Sequence, residues 1–403
     1  MKFINEMGTL LALGVVMLTS TQCSNNKDTQ EGHKTIKVEF RETANLSDLI
    51  EPDFTYLPLG SDSINLIGSV NRLIFRNDKI YVLDQSGSKK FFCFDKQGNV
   101  QFVGGNVGDG PGEYAHLEDF LVTNDEIIVN DNGSQSWLYY DVNGEFQSEK
   151  NVGLWIEEFI PFGENEILIY TPSDYIKNEA HANLPPNILK VVDSDFVVKA
   201  GFLPYLEVID DAAVPGVLGY FDNRYSFSRS VLGEIYSLDP DYQFKKRYQI
   251  DFGPYNWPFD AETIQKDQSK TEEVFLKGGV MTLTHRLLEN EQFFTFQSYK
   301  LDAAKEGSYE EEDKWWCIYD KSKDVCYAFH EVINDIDGGS FSFPRAKDGE
   351  NFVSAIDAEF LILANGETND LEKKETLDQL KGNLVDGSNP VLMFFRLKDE
   401  ISL

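Results

Sequence analysis

The chain has 403 residues, with 36 Lys and Arg against 68 Asp and Glu and a formal charge of −32. A field of that sign repels a phosphate backbone and argues against nucleic acid as a partner. Hydrophobic residues make up 41%, enough for a sizeable core; length alone suggests about two or three domains unless a repeat architecture overrides that prior.

Residues 1–22 read as an export signal: Lys2, the apolar run from Leu10 to Leu18, then Ser20, Thr21 and Gln22 ahead of Cys23. That run is too short to span a bilayer comfortably. A Cys at this place, followed by a polar stretch to His33, resembles a lipoprotein cleavage site in which Cys23 becomes the lipidated first residue. Glu6 in the positive region and bulky Gln22 depart from the usual pattern, and a plain secretory signal with an incidental Cys is the alternative. Residues 23–35 then form a flexible tether. The body is expected on a lipid anchor at the outer membrane, facing the periplasm or the cell exterior.

Apolar alternation, 30 Phe, 18 Tyr and frequent turn signals predict a mainly β chain. The longest helical segment is expected at Glu367–Leu380. One pattern recurs along the chain: an apolar pair, an Asp, a short polar turn and an apolar residue. It runs Phe94-Asp95 to Val100, Tyr140-Asp141 to Phe146, Val192-Asp193 to Val197, Leu238-Asp239 to Phe244, and Tyr319-Asp320 to Val325. Asp and Gly sit where a hairpin needs a side-chain acceptor and a positive φ. A second hairpin element, Asn77–Asp84 and Asn124–Asp131, lies upstream of the first two copies. The spacing matches a propeller blade of about 40–50 residues. Between Asp239 and Asp320 the gap is too long for one blade, so 254–279 is expected to be a partly helical insertion.

The expected fold is therefore an all-β, six-bladed β-propeller with four-stranded antiparallel blades over residues 36–403. Seven blades are the alternative, if that gap hides a degenerate one. The last blade takes inner strands from Phe341–Leu363 and an outer strand from Pro390–Lys398, and the segment near Phe54–Leu59 closes the ring, which removes exposed sheet edges. Cys317 and Cys326 flank the Asp320–Asp324 turn: a two-residue loop brings them within disulfide reach, a three-residue loop separates them. Both outcomes are open.

The hairpin repeat, the loop Gly104–Tyr114 and the terminal Asn389-Pro390-Val391-Leu392 strand together resemble the six-bladed β-propeller lipoproteins of Bacteroides-type bacteria, which carry blades of the NHL kind. Gly110-Pro111-Gly112-Glu113-Tyr114 is the most specific part. The resemblance implies fold and envelope location, but no reaction.

No linear motif carries chemistry. The Gly-rich loop lacks the Lys and Ser/Thr of a P-loop, and Pro111 interrupts a dinucleotide fingerprint; a tight crossing between blades is its simplest role. Five scattered histidines (33, 116, 181, 285, 330) give no metal spacing. Neither cofactor nor metal is expected. Asp335-Ile-Asp337-Gly338-Gly339 has part of a calcium loop but lacks the first ligand and the distal Glu, and reads as an ordinary turn. Glu310–Asp313 reads as a solvated acidic loop.

Arginine is scarce, and four of its nine copies fall where innermost strands begin or run: Arg72, Arg224, Arg286 and Arg345. Such guanidiniums can converge on the central channel and select carboxylate, sulfate or phosphate. Glu118, Asp119, Glu157 and Glu158 take the matching positions in blades two and three, so the alternative is mutual pairing across the channel. Three functions stay open: a binding or scaffold protein for an anionic glycan, peptide or protein partner through the channel mouth, a hydrolase or lyase on an anionic saccharide that uses channel acids with His285 or His116, and an assembly platform that uses blade edges or outer loops.

Overall fold

A computed structural model describes residues 32–61, 66–172, 186–206, 210, 216–267, 269–283, 286–301, 314–368 and 370–401. The signal segment, Cys23, His181, His285 and Glu310–Asp313 lie outside the described residues.

The recurrent Asp motif forms the turn between the third and fourth strands of its sheet. Asp95 accepts the backbone N–H groups of Gln97 and Asn99, Asp141 those of Asn143 and Glu145, Asp193 those of Asp195 and Val197, and Asp320 those of Ser322 and Lys323. At Asp239 the turn closes through the backbone alone, Tyr242 N–H to the Asp239 carbonyl. The turn needs one residue with positive φ. Gly98 and Gly144 supply it in two copies, and Phe196, Tyr242 and Asp324 take it in the others.

Each turn belongs to an antiparallel set of four strands or, for Asp320, of five. Arg72–Arg76, Lys79–Asp84, Lys90–Asp95 and Val100–Gly104 form one sheet. Leu117–Val122, Glu126–Asp131, Ser136–Asp141 and Phe146–Asn151 form the next, and Glu158–Phe162, Glu166–Tyr170, Asn187–Asp193 and Val198–Pro204 a third. A ten-stranded sheet contains two further sets. One is Leu218–Phe221, Arg224–Arg229, Glu234–Leu238 and Phe244–Asp251; the other is Val280–Leu283 with Leu288–Glu289, Phe293–Leu301, Lys314–Asp320 and Val325–Ile333. Strand Lys34–Asn45 joins them, pairing in parallel with Tyr248–Asp251 and then with Cys326–Ile333. The last sheet runs Ala346–Asp348, Asn351–Ile356, Val391–Phe395 and Thr55–Pro58. Its outer strand comes from the N-terminal region, so two distant parts of the chain share one sheet.

The sheets pack face to face, and the core lies between them rather than inside any one. Tyr81, Phe91 and Cys93 meet Phe120, Val129 and Tyr140; Trp137 meets Phe159 and Ile169; Val82, Phe92 and Phe94 meet Val353 and Leu392. Strands covered on both faces are apolar in continuous runs rather than alternating: Ile80 to Leu83 and Phe91 to Phe94 are all buried. Each such aromatic contributes about 1.5–3 kcal/mol by leaving water. Innermost strands touch in sequence, from Ala346–Asp348 to Arg72–Arg76, Leu117–Val122, Glu158–Phe162, Leu218–Phe221 and Leu288–Glu289. The arrangement is propeller-like, with the first strands around a central cavity.

One expectation needs correction, and others take their bounds here. Within Phe341–Leu363 only Ala346–Asp348 and Asn351–Ile356 are strands; Ala358–Leu363 is helical. The predicted helix forms at Leu371–Gly382, opened by Asp370, whose side chain caps the Lys373 N–H. The insertion holds helices Ala261–Lys266 and Ser269–Lys277. Cys317 and Cys326 are free and buried, because the turn between their strands holds four residues: Cys317 pairs with Ala328, and Cys326 with Tyr319.

Candidate functional site

A cavity of about 620 Å³ is lined by the first strand or its approach in every set. That volume falls within the ordinary range for small-molecule sites. The walls carry Arg72; Glu118 and Asp119; Glu157 and Glu158; Leu218 and Tyr220; Arg286 and Glu289; and Arg345 with Lys347, with Lys314 nearby.

The charge follows the order of the sheets. Glu118, Asp119, Glu157 and Glu158 come from two adjoining sheets, and Arg286, Lys314, Arg345 and Lys347 from the two strand sets across the ring. A β-bulge between Asn130 and Asp131 shifts the register beside Glu118, which explains how neighbours 118 and 119 both reach the cavity.

Many of these groups also tie one sheet to the next. Arg72 bonds the Asp119 carboxylate and donates to the Phe159 carbonyl at 3.2 Å. Asp119 accepts the Phe159 N–H at 3.1 Å, and Glu158 accepts the N–H groups of Gly216 and Leu218, each at 3.1 Å. Arg286 N–H meets the Gly216 carbonyl at 2.7 Å, and its guanidinium reaches the Arg345 carbonyl at 3.5 Å. Arg345 donates to the Val70 carbonyl at 2.9 Å and so returns to the first sheet. These contacts form a closed circuit of hydrogen bonds around the cavity.

The predicted residues therefore divide. Arg72 lines the cavity but is committed to Asp119: burial works against its charge, and Asp119 with Glu158 more than compensates, raising its pKa. Arg224 is not on an innermost strand; it opens the second strand of its sheet and pairs with Glu289 at 3.3 Å. The error came from reading the Phe221–Arg224 hairpin as the inner strand itself. Arg247 and Lys321 also bind Glu289, at 2.7 and 2.9 Å. Although burial raises the Glu289 pKa, Arg247 and Lys321 bring it below the ordinary carboxylate value. Arg286 and Arg345 line the cavity, and Arg286 holds an unusual backbone φ of 67°. Non-glycine residues at such angles are strained and cluster at functional sites.

Glu157 accepts the Trp155 indole N–H at 2.6 Å. Its neighbour Glu118 receives the Gln85 amide at 3.0 Å and lies 3.1 Å from the His116 imidazole. Burial, then Glu157, pushes Glu118 up to about 8; burial carries Glu158 up to about 7 against the pull of Arg72. Burial also raises Asp119, again against Arg72. It lowers Lys347, which donates to the Glu289 carbonyl at 2.7 Å. Lys314, Lys347 and Glu289 escaped the sequence reading. Lys347 was within reach of it, since it follows Arg345 at the two-residue spacing of one strand face; nothing local marks Lys314.

The Gly110–Tyr114 loop is built as a brace. Glu113 accepts the Gly110 N–H at 2.9 Å, Tyr114 donates to the Lys89 carbonyl at 2.7 Å, and Tyr140 to the Gly112 carbonyl at 2.9 Å. Gly112 has φ 76°, and a Cβ there would meet Phe146 at 2.8 Å. Of the cavity-lining residues, none comes from this loop. Asp335 accepts the Ser47 hydroxyl, and Asp337 accepts from Tyr56, Asn334 and the Gly339 N–H, which makes the 335–339 segment a hydrogen-bonded turn. Among the described residues no group of three or more His, Cys, Asp or Glu is placed to hold a metal.

The family described as Domain of unknown function (DUF4934) matches residues 33–396, nearly the whole described body. The chain belongs to this family. Two solved structures resemble this DUF4934 chain. A Bacteroides fragilis protein described as exported matches with TM-score 0.70 at 17% identity, over 91% of this chain and 100% of its own. A member of the duf4221 family from Bacteroides vulgatus matches with TM-score 0.54 at 10% identity, over 87% and 98%. At such identities the likeness is one of fold alone. No curated protein matches the DUF4934 chain significantly. None of its described helices is long and apolar enough to cross a membrane.

Proposed function

We propose that the protein is an envelope lipoprotein, anchored through Cys23 at the outer membrane, and that it binds an acid-bearing ligand or partner in the central cavity of a six-bladed propeller. The carrying observation is the basic arc: Arg286, Lys314, Arg345 and Lys347 line one side of a cavity of about 620 Å³. Guanidiniums and ammoniums brought together on one wall favour carboxylate or sulfate groups over water. The six-blade reading rests on the four separate sheets plus the two sets within the ten-stranded sheet. Export and anchoring rest on the first 23 residues.

Calorimetry with oligouronates, sulfated oligosaccharides and short peptides tests the reading. Saturable binding that weakens at least tenfold in Lys314→Ala and in Lys347→Ala is the expected result. Binding to none of these acids, or binding indifferent to both changes, overturns it.

One observation favours a second reading. Glu118, with its pKa near 8 beside Glu157 and His116, can hold a proton at neutral pH and deliver it to a leaving group. A hydrolase or lyase predicts turnover of anionic oligosaccharides that is lost in Glu118→Gln while binding persists. Absence of turnover across such substrates leaves only the binding role.

A further inference from the structure

The cavity has two charged walls, and the reading above uses only one. Glu118, Asp119, Glu157 and Glu158 belong to the 117–151 and 158–204 sheets; the cations belong to the two strand sets opposite. Between the walls lie Arg72, already bound to Asp119, and the uncharged Leu218–Tyr220 stretch. The dipole thus runs across the cavity rather than along it.

Three of the five acids that line the cavity have structural duties, Glu289 through Arg224, Arg247 and Lys321 on the basic side. Asp119 is taken by Arg72 and the Phe159 N–H, and Glu158 by the N–H groups of Gly216 and Leu218. Glu118 and Glu157 remain as adjacent carboxyls hydrogen-bonded to each other, with amide partners Gln85 and Asn132 and the His116 ring at Glu118, and the Trp155 indole N–H at Glu157. Two carboxyls this close repel when both are ionised, so without a cation Glu118 keeps a proton at neutral pH, and a cation seated between them displaces that proton and relieves the repulsion. A ligand bearing acid alone would satisfy the basic wall and leave this pair facing solvent or each other.

We infer that the cavity binds a zwitterion of the amino-acid or short-peptide class, its ammonium on Glu118 and Glu157 and its carboxylate toward Arg286, Arg345, Lys314 and Lys347. The inference rests on the acid-binding reading and narrows it. Each wall recognises one end of the ligand, so capping either end removes that wall's contribution.

Calorimetry at pH 7 with four probes tests it: triglycine, N-acetyl-triglycine, triglycine amide and a galacturonate oligomer. Triglycine is expected to bind, with acetylation and amidation each weakening it at least tenfold. Glu157→Gln is expected to erase the difference between free and acetylated peptide without weakening the acetylated form. Lys314→Ala is expected to weaken both, with thermal melts of each variant controlling for folding. If acetyl-triglycine binds as tightly as triglycine, or the galacturonate oligomer binds and triglycine does not, the zwitterion inference falls and acid binding stands. If none of the four probes binds, both fall.

Discussion

Asp119 is the most committed residue of the cavity wall. Its carboxylate bonds the Arg72 guanidinium and the Phe159 N–H, tying three sheets together at one point. Both side chains are largely out of solvent, at 20% and 6% exposure. Removal of one partner from a buried pair costs about 3–5 kcal/mol, because the other charge is left uncompensated. Arg72→Ala is therefore expected to lose stability of that order in urea titrations, with its denaturation midpoint well below that of the parent chain. Glu118 sets a pH dependence of its own. Its folded pKa, near 8, lies above that of an unfolded glutamate. The native state then binds more protons between roughly pH 4.5 and pH 8, so this residue's contribution to stability falls as pH rises through that window. Thermal melts from pH 5 to pH 9 are expected to show a decline that Glu118→Gln flattens; a parallel decline in the variant would assign it to other groups, Glu158 first among them.

At the scale of elements, the Asp turns were legible in the sequence because they are local: an acceptor, a positive-φ position and two flanking apolar runs are all within reach of one another. Gly98 shows what that position demands. It has φ 80°, and a Cβ there would stand 2.3 Å from the Pro58 carbonyl oxygen of the closing strand. Gly98→Ala is expected to lower the melting temperature by several degrees, corresponding to roughly 1–3 kcal/mol of backbone strain and clash. Phe196, at the matching place in its own turn, bears its positive φ while its ring packs at 4.4 Å from Trp137. The strand Lys34–Asn45 was not legible. Its parallel pairing to two outer strands depends on edges more than 200 residues away, which no local pattern announces. The cysteine register stayed open for a similar reason: turn length decides which residues face each other, and the Asp320–Val325 turn was one of several the sequence allowed.

For the whole molecule, the repeat period and its aromatic runs indicated sheets packed in a ring, since a strand apolar on both faces needs neighbours on both sides. The charges of the cavity were only half legible. Arg286 and Arg345 could be placed because they sit at the start of repeats; Arg224 was misplaced by one hairpin, and Lys314 enters from a third strand that no repeat singled out. The closed circuit through Arg72, Asp119, Glu158, Gly216, Arg286 and Arg345 explains why charge is concentrated there in any case: the same groups that shape the cavity hold its walls together. What distinguishes a binding site from a purely structural network is a ligand that spans the two walls. A crystal structure of the protein grown with triglycine tests this most directly. The account predicts peptide density across the cavity, with its amino end at Glu118 and Glu157 and its carboxylate toward Arg286 and Arg345. Ordered peptide elsewhere on the surface, with the cavity holding only water, would contradict it.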